Sequence, residues 1–292
     1  MSDRRVYLNG RIMPASEATV SVFDAGFLHG ASVFTTLLAH NGRPFRLGRH
    51  LERLSANADR IGLNVPVAVE ELTAAVEAVL KANGLLEARV RITLSPGPVG
   101  TEPAPTVVVT ADEARNLPDW YSRGLGVIVS GVRQYEGDPT CGLKTGCYLT
   151  RVLARQAAAA AGADEALWFT HSGHLAEACY CNVFLVRDGA VFTPPLSTPV
   201  LAGIVRATVI ELCEKLELSC TDDRPLAFQD LLSAQEVFLT SSVSGVRPVV
   251  RIDRRAVGEE RPGPVTKKIM AAYAELLDEE CPPPPQAPGE GD

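Results

Sequence analysis

The sequence predicts an α+β protein of two domains, a smaller N-terminal α+β half and a larger, barrel-like C-terminal half. Three observations predict it. The chain has 292 residues, more than one small core needs. Amphipathic helical segments and short β-branched runs both occur, in irregular order. The short runs crowd the second half without the strict strand–helix alternation of a doubly wound sheet. The expected bounds are 1–118 for the first domain, 119–125 for a linker, 126–280 for the second domain and 281–292 for a disordered tail.

The elements follow in order. Val6 to Ile12 reads as a hairpin, because Asn9-Gly10 supplies the positive φ angles of a tight turn. Phe45 to Ile61 carries Leu47, Leu51, Leu54 and Ala58 near helical spacing, and Asn64-Val65-Pro66 breaks it. Glu70 to Ala82 is a second amphipathic helix, stopped by Asn83-Gly84. Ala88 to Leu94 and Thr106 to Thr110 read as strands, and Asn116-Leu117-Pro118-Asp119 as the connection between domains. Gly126 to Val132 is a strand and Tyr148 to Ala161 a helix rich in Ala and Arg. Ala166–Thr170, Val183–Val186 and Ala190–Phe192 are short strands, the last two joined by Arg187-Asp188-Gly189. Val205 to Leu216 is a helix, Glu236 to Thr240 a strand and Val265 to Leu277 a closing helix. The Pro- and Gly-rich stretch from Cys281 cannot bury enough apolar surface to order itself.

Composition narrows the function. A net charge of −7 disfavours nucleic acid and anionic membranes as partners. No apolar run reaches the ~18 residues of a membrane span. Met1 to Arg5 leads into a strand without a signal-like core, so the expectation is a cytoplasmic protein. Seven cysteines are an odd number, and Cys179-Tyr180-Cys181 lacks zinc-ribbon spacing, so reduced thiols and no metal are expected. Dinucleotide, P-loop, zinc-protease and nucleophile-elbow motifs are missing.

Several residues could carry chemistry. Lys144 lies among small and apolar neighbours between a strand and a helix, where burial can lower an amine's pKa toward Schiff-base use. Taken alone, such a lysine is more often solvated. Gly203-Ile204-Val205 opens a helix, and free amides at a helix start bind anions. The turn Thr240-Ser241-Ser242-Val243-Ser244 can donate hydroxyl hydrogen bonds or serve as an ordinary polar turn. Glu177 sits among small residues before an apolar strand. Arg53 lies on the Phe45–Ile61 helix and could equally pair with a surface acid.

In this order the residues resemble the class IV aminotransferases, the fold-type-IV pyridoxal-phosphate enzymes. That family includes branched-chain and D-amino-acid aminotransferases and 4-amino-4-deoxychorismate lyases. The resemblance runs from about Val6 to Glu275. It is carried by Asp24, His29-Gly30, Val33-Phe34, His50-Leu51-Glu52-Arg53-Leu54, Leu175-Ala176-Glu177, Asn182–Val186, Thr193-Pro194-Pro195-Leu196 and Leu201–Arg206. It implies pyridoxal 5′-phosphate as cofactor, with Lys144 forming its aldimine and Glu177 facing its ring nitrogen. Arg53, Gly203, Ile204, Val205 and Ser242 would hold the phosphate, and Tyr148 would face the O3′ oxygen. Phe34, Thr36, Arg91 and Val243 would line the substrate site. It further implies a homodimer acting on small amino and 2-oxo acids. Three departures concern the substrate. Thr35 replaces a frequent Glu, Cys147 replaces a frequent Asn, and Ser95–Thr101 lacks the Arg-x-His pair of the D-amino-acid enzymes. Phe34-Thr35-Thr36 resembles the lyases, but the Gly-rich, Arg-containing loop of many lyases is not reproduced after Ser95; the leading expectation is transamination and the alternative is pyruvate elimination from aminodeoxychorismate.

Overall fold

The protein is described by a computed structural model, covering residues 4–63, 68–100, 104–114 and 119–284. The chain divides into two compact units, Met1–Ala114 with Ala274–Asp292, and Arg115–Tyr273.

In the first unit, strands β1 (Arg5–Leu8) and β2 (Arg11–Pro14) form the expected hairpin. Asn9 and Gly10 turn it with φ of 45° and 87°. Helix α1 (Ala25–His29) follows, then β3 (Val33–His40) and the two-residue β4 (Arg43–Pro44). Helices α2 (Leu47–Arg60) and α3 (Val69–Asn83) precede β5 (Ala88–Ser95) and β6 (Thr106–Glu113). The sheet order is β2-β1-β6-β5-β3-β4. Its core face, with Val33, Leu37, Val90, Ile92, Val107 and Val109, packs against Leu51 and Leu54 of α2 and Val76 and Val79 of α3. Period 2 in the strands and period 3.6 in the helices bring these apolar stripes together. Asp24 is buried yet satisfied, accepting from Gly26 N, Ser95 Oγ and Thr106 Oγ1.

In the second unit, α4 (Asp119–Ser122), β7 (Leu125–Gln134) and α5 (Leu149–Ala160) come first. Strands β8 (Glu165–Thr170), β9 (Leu175–Ala178), β10 (Asn182–Arg187) and β11 (Ala190–Phe192) follow. Next come α6 (Ile204–Lys215), β12 (Cys220–Thr221) and α7 (Phe228–Ser233). Strands β13 (Glu236–Ser241), β14 (Gly245–Ile252) and β15 (Arg255–Ala256) lead to α8 (Pro264–Glu280). The sheet runs β12-β11-β10-β13-β14-β7-β8-β9, with β15 beside β14. The β14–β7, β7–β8 and β11–β12 pairs are parallel. β9, at the end of the path, returns against β10, which curls the sheet into the expected barrel-like form. Phe184 and Phe238 face each other across β10 and β13 and stack at 4.8 Å.

The structure departs from the sequence reading in four places. β3, β9 and β14, with the two-residue β4, β12 and β15, are strands the reading left unassigned, and α1 and α7 are helices it left unassigned. Residues 119–125, expected as a linker, carry α4 and the first residue of β7 within the second unit; Asn116–Pro118 lie outside the described residues. Cys281, placed in a disordered tail, is buried, and its carbonyl accepts from Asn41 Nδ2 at 2.9 Å. Burial of its side chain and the Asn41 bond hold it against the first unit despite the prolines that follow; residues 285–292 lie outside the description. Finally, α8 does not belong wholly to the second unit, because its residues from Ala274 onward count with the first.

The end of α8 carries a pH-sensitive clamp. His40 on β3 lies 2.8 Å from Glu87 Oε1 and 2.8 Å from Asp278 Oδ1. Burial alone would lower its pKa, but the two carboxylates outweigh burial and hold it above the ordinary 6.5. A histidine with a raised folded value contributes its full stability below 6.5 and loses it as pH rises through that folded value. Thermal melts of the wild type and of His40→Gln should therefore differ most near pH 6 and converge by about pH 9. An equal difference at both pH values would remove the clamp from the account.

Candidate active site

The second unit gathers most of the expected site. Lys144 lies in the loop from β7 to α5, between Gly142 and the helix start at Tyr148. Gly142 has a φ of +75°, and a Cβ there would sit 3.1 Å from the Val200 carbonyl oxygen. Glycine thus lets the loop lie close to the segment before α6. Lys144 is half-buried, whereas the chain's other lysines, Lys81, Lys215, Lys267 and Lys268, are all exposed. Its Nζ donates to the Tyr148 hydroxyl at 3.1 Å. That tyrosine caps the start of the helix, so a four-residue spacing joins amine and phenol.

Glu177 is on β9, and it is 4% exposed. Arg151 Nη2 donates to its Oε1 at 2.5 Å, and Leu201 N donates to its Oε2 at 3.0 Å. The carboxylate is thereby fixed by a cation on one side and by the backbone preceding α6 on the other. Arg151 also donates through Nη1 to the carbonyls of Ala178 and Cys179, at 3.2 and 3.0 Å. Its guanidinium lies over the rings of Tyr148 and Trp168, at 5.6 and 5.5 Å. Burial disfavours its charge, but Glu177 more than offsets this and holds the Arg151 pKa above the ordinary value. The Glu177–Arg151 pair is the charged centre of the site.

Gly203 caps α6 without a side-chain hydrogen bond. The amides of Ile204 and Val205 therefore have no partner within the helix, which is the geometry that receives anions. A Cβ at Gly203 would lie 2.0 Å from Asn182 Oδ1. Asn182 is itself held there, its Nδ2 donating to the Leu201 carbonyl at 2.9 Å. Across the ladder from Asn182 stands Thr240, near the end of β13. Its Oγ1 is buried with no hydrogen-bond partner among the described residues. Two residues on, half-buried Ser242 and Val243 form the turn to β14. Tyr121 Oη supports that turn by donating to the Ser244 carbonyl at 2.9 Å.

The remaining expected residues belong to the first unit. Arg53 on α2 donates to Thr35 Oγ1 at 3.2 Å, and the same oxygen lies 2.7 Å from His50 Nδ1. The Thr35 hydroxyl thus links Arg53 on α2 to β3. Phe34, Thr36 and Arg91 share one face of the β3–β5 ladder, with Thr36 opposite Arg91 and Phe34 opposite Thr93. The Arg91 guanidinium lies 3.6 Å from the Phe34 ring centroid, and its Nε donates to Thr93 Oγ1 at 3.0 Å.

Sequence reasoning gave no site role to Arg151, or to Asn182 and Leu201 within the motifs it singled out. Arg151 had a signal: it stands three residues after Tyr148 and so shares its helix face. Leu201 had none, because it acts through its backbone amide.

The arrangement fits an aromatic, phosphorylated aldehyde cofactor. It offers an amine beside a phenol, a buried carboxylate, and a glycine-bounded helix start with an orphaned hydroxyl close by in the ladder. Among the described residues no group of His, Cys, Asp and Glu could hold a metal ion, and none of the seven cysteines is in a disulfide. No helix of the described residues is long and apolar enough to cross a membrane.

Comparison with known proteins is consistent with this arrangement. Residues 32–252 match the family described as Amino-transferase class IV. A Methanocaldococcus jannaschii protein with a provisional branched-chain-amino-acid aminotransferase name is 32% identical, over 93% of this chain and 96% of its own. The D-alanine aminotransferase of Bacillus licheniformis is 28% identical, over 92% and 95%. The crystal structure of the Escherichia coli branched-chain aminotransferase superposes with a TM-score of 0.89 at 28% identity, covering 96% of both chains. The T.th. branched-chain aminotransferase, crystallised with pyridoxamine 5′-phosphate, gives 0.89 at 30% identity, over 97% and 96%.

Proposed function

Because the chain belongs to the class IV aminotransferases, we propose that it is a pyridoxal-phosphate-dependent aminotransferase acting on apolar amino acids of branched-chain type and their 2-oxo acids. The observation that carries the reading is the half-buried Lys144 amine donating to Tyr148, in the same unit as the buried Glu177 on its arginine. When bound, the cofactor supplies an electron-poor ring that accepts the electron pair released at the substrate's Cα.

The chain's own residues do the rest. Lys144 would hold the cofactor covalently and, once the substrate's amino group displaces it, its Nζ would carry the proton taken from the substrate's Cα. Tyr148 orients that amine. Glu177 holds the ring-nitrogen proton, and its two fixed oxygens stop it turning away. Ile204 and Val205 present amides to the phosphate, with Ser242 and Arg53 as further donors. Arg91 and Thr36 are the candidates for the substrate carboxylate, with Phe34 and Val243 as apolar lining. The relatives' names support a branched-chain substrate, and the D-alanine enzymes among them keep configuration as part of the test.

A homodimer is part of the same reading. Phe23, Phe27, Leu28 and Val99 of the first unit are exposed, Phe27 at 73%, and Val99 N donates to the Phe23 carbonyl. An apolar patch of that kind marks an interaction surface. A cytoplasmic location goes with it.

One experiment tests the function. Purified holoenzyme is given L-leucine, L-valine, D-alanine or aminodeoxychorismate singly, while the cofactor absorption is followed and the mass in solution is measured. The expected result is loss of the covalent-cofactor band with a branched-chain donor, recovery on adding a 2-oxo acid, and a dimer mass. Release of 4-aminobenzoate from aminodeoxychorismate, with no response to any amino acid, would instead establish the lyase.

A further inference from the structure

We propose that Arg151 is a positioning residue which, acting through Glu177, drives the shared proton onto the ring nitrogen of the cofactor. The inference rests on the cofactor reading above and goes beyond it, since it assigns a role to a residue outside the expected site.

The geometry supplies the reason. Glu177 Oε1 is 2.5 Å from Arg151 Nη2, and the carboxylate and guanidinium side chains are 5% and 19% exposed. A carboxylate and a pyridine nitrogen that meet in a dry site share one proton. They can hold it as acid and neutral ring, or as carboxylate and pyridinium. A low dielectric favours the uncharged arrangement, because burial disfavours both ions. A fixed cation against the carboxylate reverses that preference. Its attraction for the carboxylate acts at 2.5 Å, whereas its repulsion of the ring proton acts across the carboxylate, at a longer distance. Coulomb energy falls with distance, so the nearer interaction wins.

Arg151 is built to stay where it is. Nη1 is committed to the Ala178 and Cys179 carbonyls, and the Tyr148 and Trp168 rings flank the guanidinium. It therefore holds its place whether or not Glu177 carries a proton. No competing charge comes from the nearby thiols. Burial pushes the Cys179 thiol up to about 12, and burial likewise raises Cys141, which feels both Glu177 and Arg151. The nearest other titratable side chains on this network are Tyr148 and Lys144.

The test is the ¹⁵N shift of the ring nitrogen in holoenzyme loaded with ¹⁵N-labelled pyridoxal phosphate. Wild type, Arg151→Gln and Arg151→Lys are compared, with absorption spectra and thermal melts of each. Gln keeps hydrogen-bond donors but removes the charge; Lys keeps the charge with a different shape. In wild type and R151K the nitrogen should be protonated. In R151Q the ratio of protonated to neutral nitrogen should fall by about tenfold or more, which is one pKa unit. Equal shifts in wild type and R151Q would overturn the proposal, as would a loss in R151K as large as that in R151Q. If either variant fails to fold, the other decides: a wild-type-like shift in R151Q, or a lost proton in folded R151K, sinks the idea. Failure of the parent reading looks different, since wild type itself would then bind no cofactor at Lys144.

Discussion

Replacing Lys144 by alanine is expected to abolish the covalent cofactor adduct and to slow amino transfer on the order of 10³-fold or more. In the proposed reading the substitution removes both the amine that bonds the cofactor and the base that moves the Cα proton, and proton transfer alone contributes ~10²–10⁴-fold. The residual binding should survive, because Glu177, Ile204 and Val205 are untouched. Borohydride reduction of the wild type followed by peptide mass analysis should place the adduct on Lys144. An adduct on Lys215, Lys267 or Lys268, or near-normal turnover by K144A, would refute the assignment.

Gly203→Ala should have the next largest effect. The added Cβ would meet Asn182 Oδ1 at 2.0 Å, and Asn182 cannot retreat without losing the Leu201 carbonyl. Overpacking of this kind costs about 1–3 kcal/mol, or roughly 2–4 °C of melting temperature per kcal/mol in a protein of this size. The strain falls on the first turn of α6 and on the Leu201 amide that holds Glu177. Cofactor affinity should then fall about tenfold, comparable to losing one charge-assisted hydrogen bond. Melting curves and a cofactor titration measure the two effects. Unchanged affinity in a variant with a lowered melting temperature would mean that α6 does not receive the phosphate.

Much of the molecule was legible in the sequence because its signals were local. The Asn9-Gly10 hairpin, the α2 and α3 stripes and the Gly84 stop depend only on near neighbours. What was missed depended on partners far along the chain. β14 contains Pro248 and Arg247, which argue against a strand, yet it is buried between β13 and β7. Arg247 is accommodated there by donating to Cys181 Sγ at 2.9 Å and by lying over the Trp120 ring. β9 is four residues long, too short to show alternation. In the site, Lys144 and Glu177 stood out only in the company of other motifs. Arg151 looked like one more cation on an Ala-rich helix, because the acid that explains it lies 26 residues away.

α8 has a consequence for how the chain is made. Its residues from Ala274 onward count with the unit that the first 114 residues begin. Synthesis runs from the N-terminus, and domains tend to fold as they emerge. Here the unit begun first is completed last. Arg46, already placed early in α2's cap, waits for Glu280 to arrive before making its two-pronged ion pair. A contiguous fragment cut at either boundary thus leaves one unit short of a piece, and the gene cannot be divided into two self-sufficient halves.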